Sequence, residues 1–315
     1  MRISVVVPTY NRRTIVLRTL ERLFRQSCPA EDYEIVVVVD GSADGTVEAL
    51  RALDPPCDFR VVVQKNRGLA GARNTGFRVA EGEVVLFVDD DMLCDPELVA
   101  AHLQAHRQDD GIVGIGALFL SEESPPSLAA ECFRREIGAA HLQARAPADT
   151  SWRREDCVFS NSSLRREMLI DLGGFDEGFR MREDLEFGAR LFSVGIRPVY
   201  LARAIAHQFY DKSSADLICD SEAFAVSDVL LARKHPDLRL QGHVSWLRIE
   251  RGWKHRLRCL AARQPALADA LLIPVCALCE RFLGVPALRH MGMRALQIRR
   301  RLHWMHKVME LERGK

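Results

Sequence analysis

The sequence predicts an α/β fold built on a mostly parallel sheet. Two observations carry that reading. Four short, nearly uninterrupted apolar runs fall within roughly the first ninety residues, as strands read when both faces of a parallel sheet are covered. The stretches between them have helical spacing, and strand alternating with helix at this interval gives βαβ units.

In order, strands are expected at 3–7, 35–39, 61–63 and 84–88. Between the first two, residues 14–26 set Ile15, Leu20, Leu23 and Phe24 on one helical face and turn Arg18, Glu21, Arg22 and Arg25 outward. Further helices are expected at 43–53 and 69–81. From about 96 to 210 the apolar runs at 112–120 and 157–159 continue, with longer connections and prolines near 125. This part is expected to extend the sheet. Beyond Asp211 the pattern is helical and basic, broken at Pro236, Pro265, Pro274 and Pro286. The expected organisation is one domain over 1–210, in two halves at 1–91 and 92–210. A helical, basic C-terminal region follows over 211–315.

Bulk composition bounds the classes. With 315 residues, 48% hydrophobic and 28% charged, the chain carries a full core and is not expected to be disordered. The opening apolar run is too short for a signal-peptide core or a membrane span, so a cytoplasmic location is expected. Nine cysteines, scattered along the chain, fit a reducing compartment rather than a disulfide framework. Cys276 and Cys279 form a close pair, but no further ligands at zinc spacing follow; they read as small apolar residues on a helix.

The net charge of +1 hides an asymmetry. From residue 232 onward 18 Lys and Arg face 6 Asp and Glu, against 26 and 37 before it. An anionic surface is the expected partner of the basic part. Because tryptophans (Trp246, Trp253, Trp304) interleave with its basic residues, a peripheral contact with the inner face of a membrane is one reading. Helices packed on the catalytic domain with solvated basic faces are the other. No nucleic-acid partner is expected.

Ligands in such sheets sit at the carboxyl ends of the strands, and all four ends are polar. They read Pro8-Thr9-Tyr10-Asn11-Arg12, Asp40-Gly41-Ser42-Ala43-Asp44, Gln64-Lys65-Asn66-Arg67-Gly68 and Asp89-Asp90-Asp91. Three adjacent carboxylates at the end of an apolar strand repel one another and call for a compensating cation. A hard divalent ion with oxygen ligands, shared with substrate phosphates, meets that need. The segment 68–76 is rich in glycine but lacks the dinucleotide fingerprint; Gly71 and Gly76 read as close helix–sheet contacts. Arg182-Glu183-Asp184-Leu185-Glu186 opens a further helix, where carboxylates are favourable.

These segments together resemble the GT-A fold, inverting glycosyltransferases of family 2. The matches are VVVPTYNR, EIVVVVDGSADGT, NRGLAGARNTG, VLFVDDDM and NSSLRREMLIDLGGFDEGFRMREDLEF, followed by His207. They cover roughly the first 210 residues in the family's order, which implies a catalytic domain over 1–210 with its nucleotide-binding half at 1–91 and its acceptor half at 92–210. The resemblance implies a metal-dependent hexosyltransferase that uses a nucleotide-diphosphate sugar and Mn²⁺ or Mg²⁺. It makes Asp91 a metal ligand, joined by His207, while Asp89 and Asp90 divide the ribose contact and support of the metal. It lines the base pocket with Pro8, Thr9 and Arg12, and gives Asp40 the imide N–H of uracil, so a UDP-sugar is favoured. On the residues alone Asp40 also reads as the opener of an Asx turn. Arg67 and Arg73 are candidates for the diphosphate, and Asn66 for another contact with the nucleotide sugar. Glu183 and Asp184 match the family's ED motif, with Asp184 as general base toward the acceptor hydroxyl; Asp176 reads as a turn residue. The Q-x-x-R-W element of processive synthases is absent, which points to addition of one sugar to a glycan, lipid-linked or small-molecule acceptor. Two alternatives are a non-catalytic nucleotide-sugar scaffold and, with less support, a nucleotidyltransferase. Acceptor contacts are expected between about 116 and 154.

Overall fold

The computed structural model describes residues 1–144, 158–196, 198–235 and 253–313. Cys157, Pro236, Trp246 and the end of the expected acceptor region at 145–154 lie outside the described residues.

The chain forms two compact units, one of Met1–Glu123 with Ile137–Phe209 and one of Ser124–Glu136 with Tyr210–Lys315. The first is built on an eight-stranded sheet: β1 (Ile3–Thr9), β2 (Tyr33–Asp40), β3 (Asp58–Gln64), β4 (Val84–Val88), β5 (Met92–Cys94), β6 (Val113–Leu120), β7 (Asn161–Arg165) and β8 (Pro198–Gln208), in the order β3-β2-β1-β4-β7-β6-β8-β5. The half containing the four expected strands is parallel. The sheet turns antiparallel at β7 and again where β5 meets β8.

Alternation along β1 explains why its run is unbroken. Ile3, Val5 and Val7 pack with Val16, Leu20 and Leu23 of α1 (Arg13–Leu23) on one face. On the other, Val6 packs with Ala70, Ala72 and Phe77 of α3 (Gly68–Val79). Both faces are covered, so its valines and isoleucine fill both cores, while the buried Ser4 and Thr9 hydroxyls are satisfied by Glu34 and Asp90. Helix α2 (Thr46–Arg51) joins β2 to the edge strand β3, whose positions are partly exposed. A Cβ on Gly76 would lie 2.2 Å from Val6 Cγ1, so glycine lets α3 press on the sheet. Register of β1 with β4 ends at Val6; Pro8, which has no N–H to give, sits beyond the ladder on that side.

The strand that sequence patterning misses is β7, Asn-Ser-Ser-Leu-Arg, whose polar residues are buried. Its partners come from α4 (Leu98–Gln108). His102 reaches Ser163 Oγ (2.7 Å) and Asn161 Oδ1 (3.0 Å), and His106 Nε2 reaches the same Ser163 Oγ (2.8 Å). Asn161 Nδ2 donates to the carbonyls of Ala117 and Ala204, beside the register shift between Gly116 and Ala117. Because Asn161 spends its amide hydrogens there, its Oδ1 accepts from His102 Nε2–H. His102 Nδ1 then accepts from Ser163, whose oxygen accepts from His106. Both rings are neutral in this chain of bonds. The remaining helices of this unit are α6 (Arg166–Asp171) and α7 (Glu183–Ser193).

The second unit is helical: the start of α5 (Leu128–Ala144), α8 (Ser214–Lys234), α9 (Trp253–Ala262), α10 (Pro265–Arg281) and α11 (Pro286–Arg313). Ser213 and Asp216 cap α8 reciprocally. Its core joins Ala225, Val229, Ala262, Leu302, Met305 and Val308, and Trp304 Nε1 donates to Asp228. The sequence reading places Ser124–Glu136 with the first unit. It belongs to the second because Phe133 stacks on Tyr210 (4.3 Å) and Glu280 accepts from the Leu128 N–H that opens α5. No disulfide joins the described cysteines. Among the described residues no helix is long and apolar enough to cross a membrane.

Burial pushes His102 down to about 3 and His106 to about 4, whereas an unfolded histidine titrates near 6.5. As pH falls below 6.5 the unfolded chain takes up protons that the folded one refuses, so acid favours unfolding. We expect urea unfolding to require roughly 2–5 kcal/mol less at pH 4.5 than at pH 7. His106→Gln should show a shallower dependence; identical slopes would mean that the pair is not held neutral.

Candidate active site

The acidic run follows directly from β4. The fully buried strand ends at Val88, and a tight turn then forms, with Asp89 N–H donating to Ser160 O and Met92 N–H to Asp89 O. Asp90 and Asp91 are thereby held inside the unit, while the Asp89 side chain is partly open. Thr9 Oγ1 donates to Asp90 Oδ2 (2.7 Å), and Thr19 Oγ1 to the Asp90 carbonyl (2.7 Å). Arg12 Nη1 donates to Asp90 Oδ1 and Asp91 Oδ2, both at 3.1 Å. Gln208 Nε2 donates to both oxygens of Asp91 (3.2 Å). Burial still outweighs these partners, pushing Asp90 up to about 7 and Asp91 to about 6.

A second acidic pair stands beside the first through one arginine. Arg73, on α3 and 3% exposed, forks its guanidinium between Asp89 Oδ1 (2.9 Å) and Glu183 Oε1 (2.8 Å). Glu183 and Asp184 open α7, and Asp184 Oδ1 accepts from the Leu185 N–H (2.7 Å). Burial raises both carboxyls above their usual range, opposed by Arg73 and, at Asp184, by Arg182. The preceding residue, Arg182, takes a left-handed φ of 67°, an unusual backbone for a side chain of this size.

The other strand ends are braced in the same way. Asp40 accepts from Gln64 Nε2 and Arg67 N–H on one oxygen and from Gly68 N–H on the other. It therefore fastens the β3–α3 turn and the first N–H groups of α3. Its bonds reach across the sheet to the next strand end, which is not the local Asx turn that the sequence also allowed. The Arg67 guanidinium is bidentate with Glu177 (2.7 Å to each oxygen). Glu177 also accepts from Asn74, whose amide holds Phe175 by both backbone groups. A Cβ on Gly71 would lie 2.6 Å from Arg67 Cβ, so that glycine makes room for the clamp. Asn66 is exposed on the turn, and Asp176 accepts from the Gly178 N–H, a turn contact.

Several sequence expectations shift accordingly. Thr9, Arg12, Arg67 and Arg73, expected around base or diphosphate, each hold a protein carboxylate in this structure, and Pro8 is buried within β1. Arg73 shows this most clearly. A buried cation forked between two carboxylates is their counter-charge, not a free arm for phosphate.

His207 lies apart from the acidic run. It pairs in register with Leu93, and Gln208 with Met92. Successive side chains of a strand point to opposite faces, so Gln208, not His207, reaches Asp91. His207 lies instead against Asp95 (Nε2 to Oδ1, 3.4 Å) and Phe119. The sequence missed Gln208, Asn74 and Glu177. The alternation of β8 alone would have set Gln208 against His207, had the start of β5 been assigned.

Among the described residues no three or more His, Cys, Asp or Glu gather to hold a metal by themselves. The oxygen set still suits a hard cation that draws further ligands from a substrate. Asp89, Asp90, Asp91, Glu183 and Asp184 are balanced by Arg12, Arg73 and Arg182, which leaves two carboxyls in excess. More carboxyls than cations leave room for a further cation among them.

The model of glycosyl transferase family 2 matches residues 4–173. Validoxylamine A glucosyltransferase of Streptomyces hygroscopicus subsp. jinggangensis (strain 5008) is 32% identical over 273 residues, which cover 75% of this chain and 61% of that protein. The uncharacterized glycosyltransferase YfnE of Bacillus subtilis (strain 168) is 28% identical over 246 residues, 62% of either chain. The chain thus spans about three-fifths of the length of these relatives. Mannosyltransferase PcManGT from Pyrobaculum calidifontis, solved with GDP-Man and Mn²⁺, superposes with a TM-score of 0.64 at 22% identity, covering 95% of this chain and 85% of that one. TarS 1-349 of S. aureus with UDP-GlcNAc gives 0.55 at 20% identity, covering 100% and 93%. At these identities the structural likeness establishes the fold, which is GT-A.

Arg73→Met should strand Asp89 and Glu183 without their shared cation. Urea unfolding at pH 7 is expected to show a loss of about 3–5 kcal/mol. A change below about 1 kcal/mol would mean that the fork carries no such weight.

Proposed function

This chain belongs to glycosyl transferase family 2, and from that premise we propose that it is an inverting, metal-dependent glycosyltransferase that moves one sugar from a nucleotide-diphosphate donor to an acceptor hydroxyl. The observation that carries this reading is the Arg73 fork, which ties the acidic run at the end of β4 to the Glu183–Asp184 pair at the start of α7. A group suited to the donor's leaving end and a group suited to the acceptor then share one wall.

The chain's own residues divide the work. Asp184 takes the proton of the acceptor hydroxyl as that oxygen attacks the anomeric carbon; its raised pKa brings it nearer the operating pH, where a general base is most effective. The Leu185 N–H holds its Oδ1, and the nearby charges of Arg73 and Arg182 favour its ionised form. The attack displaces the nucleoside diphosphate directly and inverts the sugar carbon. Asp91, with Asp89, offers oxygen ligands to Mn²⁺ or Mg²⁺, which when bound supplies charge neutralisation for the diphosphate. Gln208 and Arg12 orient Asp91. Uridine is the base we favour, with Asp40 the carboxylate that would meet its imide N–H. The first donor to test is UDP-glucose, since the Streptomyces relative is named a glucosyltransferase. The acceptor is a glycan, a lipid-linked sugar or a small hydroxylated molecule. We assign the basic excess beyond residue 232 to contact with an anionic surface.

Release of nucleoside diphosphate from a panel of nucleotide sugars, with Mn²⁺ and with EDTA, tests the reading. Turnover of one donor is expected to require the metal and to vanish in Asp91→Ala. Asp184→Asn should lower kcat by about 10²–10⁴, while His207→Ala keeps its metal response. Silence across the panel, without a donor-induced thermal shift, would favour a scaffold.

A further inference from the structure

Helix α10 presents two unlike faces. Its acidic groups turn into the unit: Asp269 accepts from Arg299 Nε (2.8 Å) and lies 3.1 Å from His303 Nε2, and Glu280 accepts from the Leu128 N–H. Cys276 and Cys279 are buried on the same side, where Gly292 of α11 lets the helices close. The outer face has no acid. Leu267, Leu271 and Leu278 are 65%, 75% and 52% exposed, with Pro274 between them at helical spacing and Phe282 continuing the row. Exposed Arg263 and Arg281 stand at the two ends. An apolar stripe of this size on a soluble surface marks an interaction site.

We propose that this face of α10 seats on an anionic lipid bilayer, the helix lying in the plane of the interface. The proposal rests on the anionic-surface reading of the basic C-terminal part and moves it from bulk charge to one named face. Seventeen residues make a helix about 25 Å long, with its leucines on one side and an arginine at each end, an arrangement that suits the boundary between headgroups and acyl chains. Crossing the bilayer is ruled out for this helix by Pro274, by its length and by the two acids fastened inside. A second copy fits the face poorly. Antiparallel pairing across a two-fold axis would set Arg263 against the other copy's equivalent of Arg281, like charge on like.

Co-sedimentation of the full chain with vesicles of phosphatidylcholine, with and without phosphatidylglycerol, tests this. Binding is expected only with the anionic lipid, to fall about tenfold or more in Leu271→Glu/Leu278→Glu, and to lose salt sensitivity in Arg263→Glu/Arg281→Glu. Thermal midpoints and donor turnover should not change, because these side chains are exposed. If the wild type binds and the leucine variant binds equally, the α10 proposal fails while the anionic-surface reading stands. No binding by the wild type sinks both. A concentration-dependent dimer in sedimentation velocity, abolished by the leucine variant without any vesicle binding, would make the face a self-interface instead.

Discussion

One buried guanidinium organises the unit built on the eight-stranded sheet. Taking a cation out of water is costly, and taking carboxylates out is equally so; each is tolerated because the other is present. Arg73 meets this condition twice, with Asp89 on the β4–β5 turn and Glu183 at the head of α7. Two elements far apart in sequence are thereby fixed to a third. The fork depends on α3 lying close to the sheet, which Gly76 permits against Val6. It also depends on the start of α3 being fastened, which Asp40 accomplishes through the Arg67 and Gly68 N–H groups. A change at any of these contacts would move the guanidinium and so both carboxyls.

The two-residue period of the strands decides much of what the site contains. It sorts Val5 and Val7 to one core and Val6 to the other. It also selects Gln208 over His207 as the side chain that meets Asp91. An amide in that place donates to the carboxylate without adding charge, whereas an imidazolium would compete for it. The carboxylate thus keeps most of its demand for a cation, in line with burial holding Asp91 above its usual range.

The parallel half of the fold was legible because burial on both faces writes itself as unbroken apolar runs, as in residues 35–39 and 84–88. The antiparallel extension was not. β7 buries Asn161, Ser162 and Ser163, and nothing in Asn-Ser-Ser-Leu-Arg announces a core strand until His102 and His106, some sixty residues earlier, supply the partners. The acidic run and the Glu–Asp pair were legible as chemistry, since unlike most polar clusters they follow an apolar strand or open a helix. What sequence could not show is which cation neutralises which carboxylate. Arg12, Arg67 and Arg73 read alike as phosphate-binding candidates, and only the fold separates them: Arg73 is sealed between acids, while Arg12 and Arg67 remain partly open.

That difference in exposure bears on how a donor would enter. Arg73 cannot leave its two carboxylates without exposing a buried imbalance. Arg12 bonds Asp90 and Asp91 from the solvent side, with a third of its side chain exposed. Exchanging it for another cation would cost little, because water can take up the guanidinium as it withdraws. On the proposed mechanism the incoming metal–diphosphate pair would supply the positive charge that Arg12 gives up and the negative charge that it then meets. The acidic wall would then rest on one fixed arginine, Arg73, and one exchangeable one, Arg12.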